Sequence, residues 1–475
     1  MKIVLVASEA KPFIKTNDLA DQVFYLSKKL AEKGQDISVI IPFYSFTKNE
    51  LSMTVDYLGS FNMKLGPKKV KATISKIKYQ GINYYFVEND SYFARNQIYG
   101  EFDDGERFAF FTLASIEVMK RYIDKPDIVQ LYDWEVGMLP CVVRENKDKF
   151  FSDVKFVFAL HNPSLQGIYN PDFIIEYYGL DRHCYDNGGI EMYGQCSTLK
   201  AGIGYADKVL ALSVTYHDEL LTKEGGMNLD YILSMKKGDF AAVYGGVDYK
   251  EYSPENDQYI VATYNEDSYY QEKALNKKQL LKEFNLKDTG LPVFAFNAEI
   301  VWQKGVDLIY PIVSNFANRG CMFILVGEGD HGHEQGFEQL HREFHNNVGV
   351  FIGNDERLNH LVYAGSDFLL LPSMFEPCEN GQMIAQKYGT LPIVSDIGAL
   401  HDTVINCDGK NYEVANGFSF ACNNYDDFVN ACEKALGVYW NLPNRKKIIR
   451  SAMKANNSIE KSAKKYLEVY KEVLK

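Results

Sequence analysis

Residues 371–382, LPSMFEPCENGQ, concentrate side chains able to do chemistry. They set Glu376, Pro377 and Cys378 on a turn directly after the apolar run Phe368-Leu369-Leu370-Leu371. A strand that leads into a helix start makes an anion site. The first helical N–H groups lack internal partners, and the helix dipole favours negative charge there. Glu376 at the lip of that turn can accept hydrogen bonds from a polar ligand. An ordinary helix start with a capping carboxylate gives the same pattern. Asp330-His331-Gly332-His333-Glu334 offers two His and two acids, but H-x-H specifies no third metal ligand. His341 and His345 enclose Arg342-Glu343-Phe344, which is not H-E-x-x-H and fits a solvated helix face. No metal site is expected.

The elements that must position these residues alternate. Residues 2–7 read as a buried strand, 21–33 as an amphipathic helix stopped at Gly34, and 37–41 as a second strand stopped at Pro42. Apolar strand runs return at 128–131, 154–160 and 208–212, with a helix at 198–205. A Tyr-, Asp- and Glu-rich stretch at 245–270 reads as a connection. A second series follows at 293–297, 322–326, 348–352, 368–371 and 391–394. This predicts an α/β protein of two doubly wound, Rossmann-like domains facing across a cleft, with ligands at the strand C-termini. The expected boundaries are 1–244, a linker at 245–258, 259–444, and a basic helical tail at 445–475 that could cross back to the first domain.

A chain of 475 residues is too long for one core. Its net charge of −12 argues against a nucleic-acid footprint or an anionic membrane surface. No apolar run is long enough for a spanning helix. The eight Cys are scattered without a C-x-x-C pair, which reads as reduced thiols and a cytoplasmic location.

The ordered motifs are KTNDLADQ (15–22), LYDWEVGMLP (131–140), HNPSLQG (161–167), TLKAGIGYADKVLALS (198–213), GGVD (245–248), QKGVDL (303–308), YAGSDFLLLPSMFEPC (363–378) and QKYGTLPIV (386–394). Nearly end to end, the chain resembles the bacterial glycogen synthase and plant starch synthase family. The resemblance implies the two-domain glycosyltransferase-B fold. It also implies transfer of glucose from ADP-glucose, or sometimes UDP-glucose, to the non-reducing end of an α-1,4-glucan, with retention and without metal or cofactor. By the same resemblance Lys15 and Lys304 match cations around the diphosphate, and His161 with Asn162 the loop at the transferred sugar. Asp133 matches the carboxylate near the reacting centre, and Glu376 the residue holding glucose hydroxyls. Asp21, Cys378, Gln382 and Tyr99 are the further substrate-binding candidates, with Tyr92 and Phe93 beside Tyr99 as possible glucan contacts.

The departures from the family cluster at the diphosphate. K-T-G-G-L is here Lys15-Thr16-Asn17-Asp18-Leu19, and E-P-C-G-L-T-Q is Glu376-Pro377-Cys378-Glu379-Asn380-Gly381-Gln382. Glu299 stands where the family has an Arg, and Tyr132 and Glu135 replace both His of H-D-W-H. Two charges about 4 Å apart interact by roughly 4 kcal/mol at an effective dielectric near 20. Replacing one attraction by a repulsion therefore removes roughly a thousandfold or more in rate. Three readings follow: a working glucosyltransferase, whose activity these acids impair; a catalytically silent, glucan-binding or partner-regulating relative; and a transferase of changed donor or acceptor.

Overall fold

The computed structural model describes residues 1–50, 53–95, 97–377 and 380–475. The chain forms two compact units, residues 1–245 with 459–475, and residues 246–458.

The first unit is built on a nine-stranded sheet. Its order is Phe240–Ala242, Lys208–Ala211, Lys155–Leu160, Ile128–Tyr132, Lys2–Val6, Asp36–Pro42, Ile82–Glu88, Lys68–Tyr79 and Asp56–Leu65. The first seven strands pair in parallel. Strand Lys2–Val6 is apolar on both faces because helices cover both; Ile3 lies opposite Ile37 on one side and Ile128 on the other. The chain turns in opposite directions from that central strand, so a switch point opens between it and Ile128–Tyr132.

Two antiparallel strands, Lys68–Tyr79 and Asp56–Leu65, extend the sheet. No element is expected there from the sequence, because Lys68, Lys69, Lys71, Lys76 and Lys78 dilute the apolar alternation. The helix Asp18–Glu32 starts earlier than expected. Asn17 caps it, its side chain accepting from Leu19 N at 2.8 Å.

The tail is two helices rather than one. Leu442–Lys454 belongs to the second unit and Ile459–Val473 to the first. Ile459, Ala463, Tyr466, Val469 and Tyr470 of the last helix enter the core beside Val23, Leu26, Leu30 and Tyr132. Their burial is worth on the order of 10 kcal/mol before entropy is charged against it.

The second unit holds a six-stranded parallel sheet. Its order is Val348–Ile352, Met322–Gly327, Val293–Asn297, Phe368–Leu371, Leu391–Ser395 and Phe418–Phe420. In chain order that is 3-2-1-4-5-6, the doubly wound arrangement, with its switch point between Val293–Asn297 and Phe368–Leu371. The stretch expected as a connection is packed into this unit. Asp257 accepts from Tyr388 Oη and lies 2.8 Å from His360 Nδ1, and Tyr264 Oη donates to Tyr388 O at 2.8 Å.

Candidate active site

In the first unit the loop after the central strand is organised by Glu9, which sequence reasoning passed over. The Glu9 carboxylate accepts from Thr16 N at 2.6 Å, Asn17 Nδ2 at 2.7 Å, Tyr99 Oη at 2.7 Å and, more weakly, Asn17 N at 3.4 Å. Burial pushes its pKa up, against the pull of these hydrogen bonds. Asn17, where the family has glycine, is thus turned onto Glu9 and caps the helix at once. Its neighbour Asp18 is the first helical residue, where the helix dipole favours a carboxylate. A charged residue three positions past the apolar strand Lys2–Val6 was the available signal for Glu9.

Lys15 Nζ bonds to Asp21, whose other oxygen lies 3.0 Å from Lys11 Nζ. Asp21 therefore fixes two ammonium groups at the mouth of this loop. Tyr99, expected as a glucan contact, donates its hydroxyl to Glu9 at 2.7 Å and lies 2.7 Å from Ser8 Oγ. Tyr92 and Phe93 are buried in the core rather than placed to meet a glucan, because Tyr92 anchors to Glu106 and Phe93 packs on Tyr44.

Across the switch point, Asp133 ends strand Ile128–Tyr132 in a left-handed conformation, φ 55°. That geometry is rare for a residue with a side chain. It aims the carboxylate at the next loop, where Oδ1 accepts from His161 N at 2.7 Å and Asn162 N at 3.3 Å. Burial raises the Asp133 pKa to about 7, opposed by those two N–H groups. Burial also lowers His161 to about 3, so its imidazole is neutral at physiological pH. Its carbonyl accepts from Tyr216 Oη at 3.0 Å, and Asn162 Oδ1 accepts from Ser164 N at 2.9 Å.

Glu135 is buried, and its carboxyl is pushed well above the usual range by burial and by the neighbouring acids Asp133, Glu9 and Asp104. Gly167 belongs to the same construction: at φ +56° a Cβ would meet Thr198 Oγ1 at 2.1 Å. Tyr132, expected as an altered site position, is a core residue instead. It alternates to the face covered by the last helix and accepts from Gln130 Nε2 at 2.6 Å.

In the second unit Lys304 and Glu376 come from the two loops that flank the switch point. Lys304 Nζ lies 2.9 Å from Glu376 Oε2, with both side chains largely buried. Gly305 makes this approach possible: at φ +70°, a Cβ there would sit 1.9 Å from Pro372 O. Met374 N donates to Gln303 O at 2.8 Å, and Ala399 N to Glu376 O at 3.0 Å, so backbone bonds clamp the Glu376 loop on both sides. Glu299 is exposed on the loop after Val293–Asn297.

Cys378 and Glu379 lie outside the described residues. Asn380 and Gly381 open the helix Gly381–Lys387, and Gly381 is buried. Gln382, expected to touch substrate, is fully buried because its helix position faces inward. Its amide donates to Thr403 Oγ1 at 3.0 Å. Among the described residues no group of three or more His, Cys, Asp or Glu is arranged to hold a metal ion. His333 instead stacks on Tyr310, with Nδ1 3.0 Å from its hydroxyl.

Residues 2–235 match the starch synthase catalytic domain family, and residues 277–455 match glycosyl transferases group 1. Over 477 aligned residues the chain is 37% identical to a glycogen synthase of Clostridium botulinum (strain Alaska E43 / Type E3), covering 100% of this chain and 99% of that protein. The chain belongs to the glycogen synthase family. A glycogen synthase of Bacillus cereus (strain ATCC 14579) is 35% identical with full coverage of both chains. The catalytic domain of starch synthase IV from Arabidopsis thaliana, solved bound to ADP and acarbose, superposes with a TM-score of 0.92. It is 28% identical over 100% of this chain and 99% of that one. As a member of the glycogen synthase family the protein is a glucosyltransferase, and its two Rossmann-like units form the glycosyltransferase-B fold. Among the described residues no helix is long and apolar enough to cross a membrane.

Proposed function

We propose that this glycogen synthase relative transfers glucose from ADP-glucose to the non-reducing end of an α-1,4-glucan with retention, using no metal or cofactor, in the cytoplasm. The observation that carries the reading is the buried Lys304–Glu376 pair at the switch point of the second sheet. An ammonium with three donors can hold Glu376 and a departing phosphate oxygen together, while Glu376 accepts from glucose hydroxyls. Residues 259–444 act as the nucleotide-sugar domain. Residues 1–244 act as the acceptor domain, where Lys15, oriented by Asp21, supplies a second cation. His161, neutral and held by its backbone to Asp133, exchanges hydrogen bonds with the transferred sugar together with Asn162. Asp133 lies next to the reacting centre. Its raised pKa leaves it able to share a proton with a hydroxyl.

The other reading is a catalytically silent, glucan-binding relative, in which the N–H groups of Thr16 and Asn17 stay with Glu9. A turnover assay separates the two. With ADP-glucose and a maltooligosaccharide primer, the protein should release ADP and lengthen the primer, and Glu376→Ala should abolish both. Primer binding without any ADP release would leave the silent reading standing. Release only from another sugar nucleotide would point to a changed donor.

A further inference from the structure

A cavity of about 190 Å³ lies within the second unit, at the end of the sheet away from Lys304 and Glu376. Phe368 and Leu391 on its wall are the first residues of their strands, whereas Lys304 and Glu376 follow strand C-termini. The proposed transfer chemistry does not use it. One wall is the helix Tyr269–Glu283, where Tyr269, Lys273 and Lys277 recur every fourth residue and so share a face. Arg445 enters from the helix Leu442–Lys454. Among the described residues lining the cavity, Lys273, Lys277 and Arg445 are cations and Asp367 is the only carboxylate. The chain as a whole carries a net charge of −12, so composition does not account for this local excess of positive charge.

The carboxylate is already engaged, since Asp367 pairs with Lys277 at 2.7 Å. Lys273 Nζ is left with four neutral acceptors, Tyr363 O, Ala364 O, Tyr388 O and Thr390 Oγ1, at 2.7 to 3.2 Å. Burial lowers its pKa to about 7, against the pull of Asp367. Arg445 pairs with no carboxylate among the described residues. Its guanidinium lies 4.5 Å from the ring centre of Tyr439 and 5.9 Å from that of Tyr270. Lys277 Nζ stands 5.3 Å from the same Tyr439 ring centre, so the two cations share one aromatic support. Tyr269 is 5% exposed, and its hydroxyl has no hydrogen-bond partner among the described residues. Burial raises the pKa of that hydroxyl, against the pull of Arg445 and Arg450, which places an idle donor near guanidinium groups. A buried polar group without a partner is costly unless a ligand or water satisfies it.

We propose that this cavity binds a small phosphoryl anion, free or as a monoester, held by Arg445 and the Tyr269 hydroxyl against the Lys273–Lys277 face. A guanidinium fork matches two phosphoryl oxygens, and the lysines add charge from behind. A neutral sugar would leave the excess charge uncompensated. The site goes beyond the glucan-transfer reading and does not rest on it.

The test is calorimetry on the full chain with inorganic phosphate and with glycerol 3-phosphate, comparing the parent with Arg445→Met, Tyr269→Phe and Lys304→Met. Arg445→Met should weaken phosphate binding by about tenfold or more, through loss of charge-assisted bonds. Tyr269→Phe should weaken it by about threefold to fivefold, for a single neutral donor. Its thermal stability should not fall, because the deleted hydroxyl bonds to nothing in the free protein. That contrast separates a ligand-binding role from a structural one. Lys304→Met, at the other end of the sheet, should bind phosphate like the parent. Equal affinity for the two probes assigns the site to the phosphoryl group alone, and tighter glycerol 3-phosphate assigns it to a monoester. No heat from the parent at millimolar phosphate overturns the site. So does parental affinity in Arg445→Met or in Tyr269→Phe. Binding lost in Lys304→Met and kept in Arg445→Met also overturns it, in favour of the transfer site.

Discussion

Replacing Lys304 by Met tests whether the Lys304–Glu376 pair holds the donor loop in shape. At 2.9 Å, the attraction of two unit charges is about 6 kcal/mol for an effective dielectric near 20. Desolvation of both groups offsets much of that, since only 15% of the Lys304 side chain and 3% of the Glu376 side chain are exposed. Breaking a buried pair from one side leaves a buried charge and typically costs about 3–5 kcal/mol. Lys304→Met alone should therefore destabilise the second unit by about 3 kcal/mol. Glu376→Gln alone should cost less, because an ammonium on a longer stem reaches solvent more easily. The double variant should recover much of the loss, with a coupling energy of at least about 1 kcal/mol. Native-state hydrogen exchange on the strands Val293–Asn297 and Phe368–Leu371 reads the second unit by itself, which a global melt of a two-unit chain does not. Strictly additive single effects, with coupling below about 0.5 kcal/mol, would show that the contact carries no net interaction. The claim that it shapes the donor loop would then be wrong. Activity supplies a second reading: loss of one leaving-group cation should lower kcat by about 10²–10³.

Two further outcomes follow from the charges in each unit. Glu299→Arg should tighten ADP binding by about tenfold or more in calorimetry, and unchanged or weaker affinity would mean that position 299 does not face the diphosphate. Glu135 is held protonated in the folded chain but ionises in the unfolded one above its ordinary value of 4.5, so it makes folding stability fall as pH rises. Asp133 acts in the same direction up to about pH 7, while His161, depressed to about 3, acts oppositely up to its ordinary 6.5. Both remain in a Glu135→Gln variant and largely cancel in the comparison. The variant should therefore gain on the parent as pH rises from 4.5 toward the raised folded value, by up to about 1.4 kcal/mol per pH unit. A stability difference that stays flat across that range in urea titrations would show that Glu135 ionises normally.

The sequence by itself determined the architecture and the family. Period-2 and continuous apolar runs separated by helix stops mark strands and helices wherever burial is strong, as in residues 2–7 or 368–371. Motifs such as those around Asp133, His161, Lys304 and Glu376 are contiguous strings, so they are legible without coordinates. The hairpin of residues 56–79 was not legible, because a solvent-facing edge rich in lysine carries little apolar signal. Neither was the break in the tail, since helix propensity does not report which unit a face packs against. Tertiary structure alone decided which candidates face a site. Tyr132 and Gln382 turn into the core by their position on a strand and a helix. Glu9 becomes the organiser of the 15–18 loop only because the fold returns that loop to the strand it left. The raised pKa of Glu135 likewise exists only because the fold buries its carboxyl and brings Glu9 and Asp104 toward it and its chain neighbour Asp133.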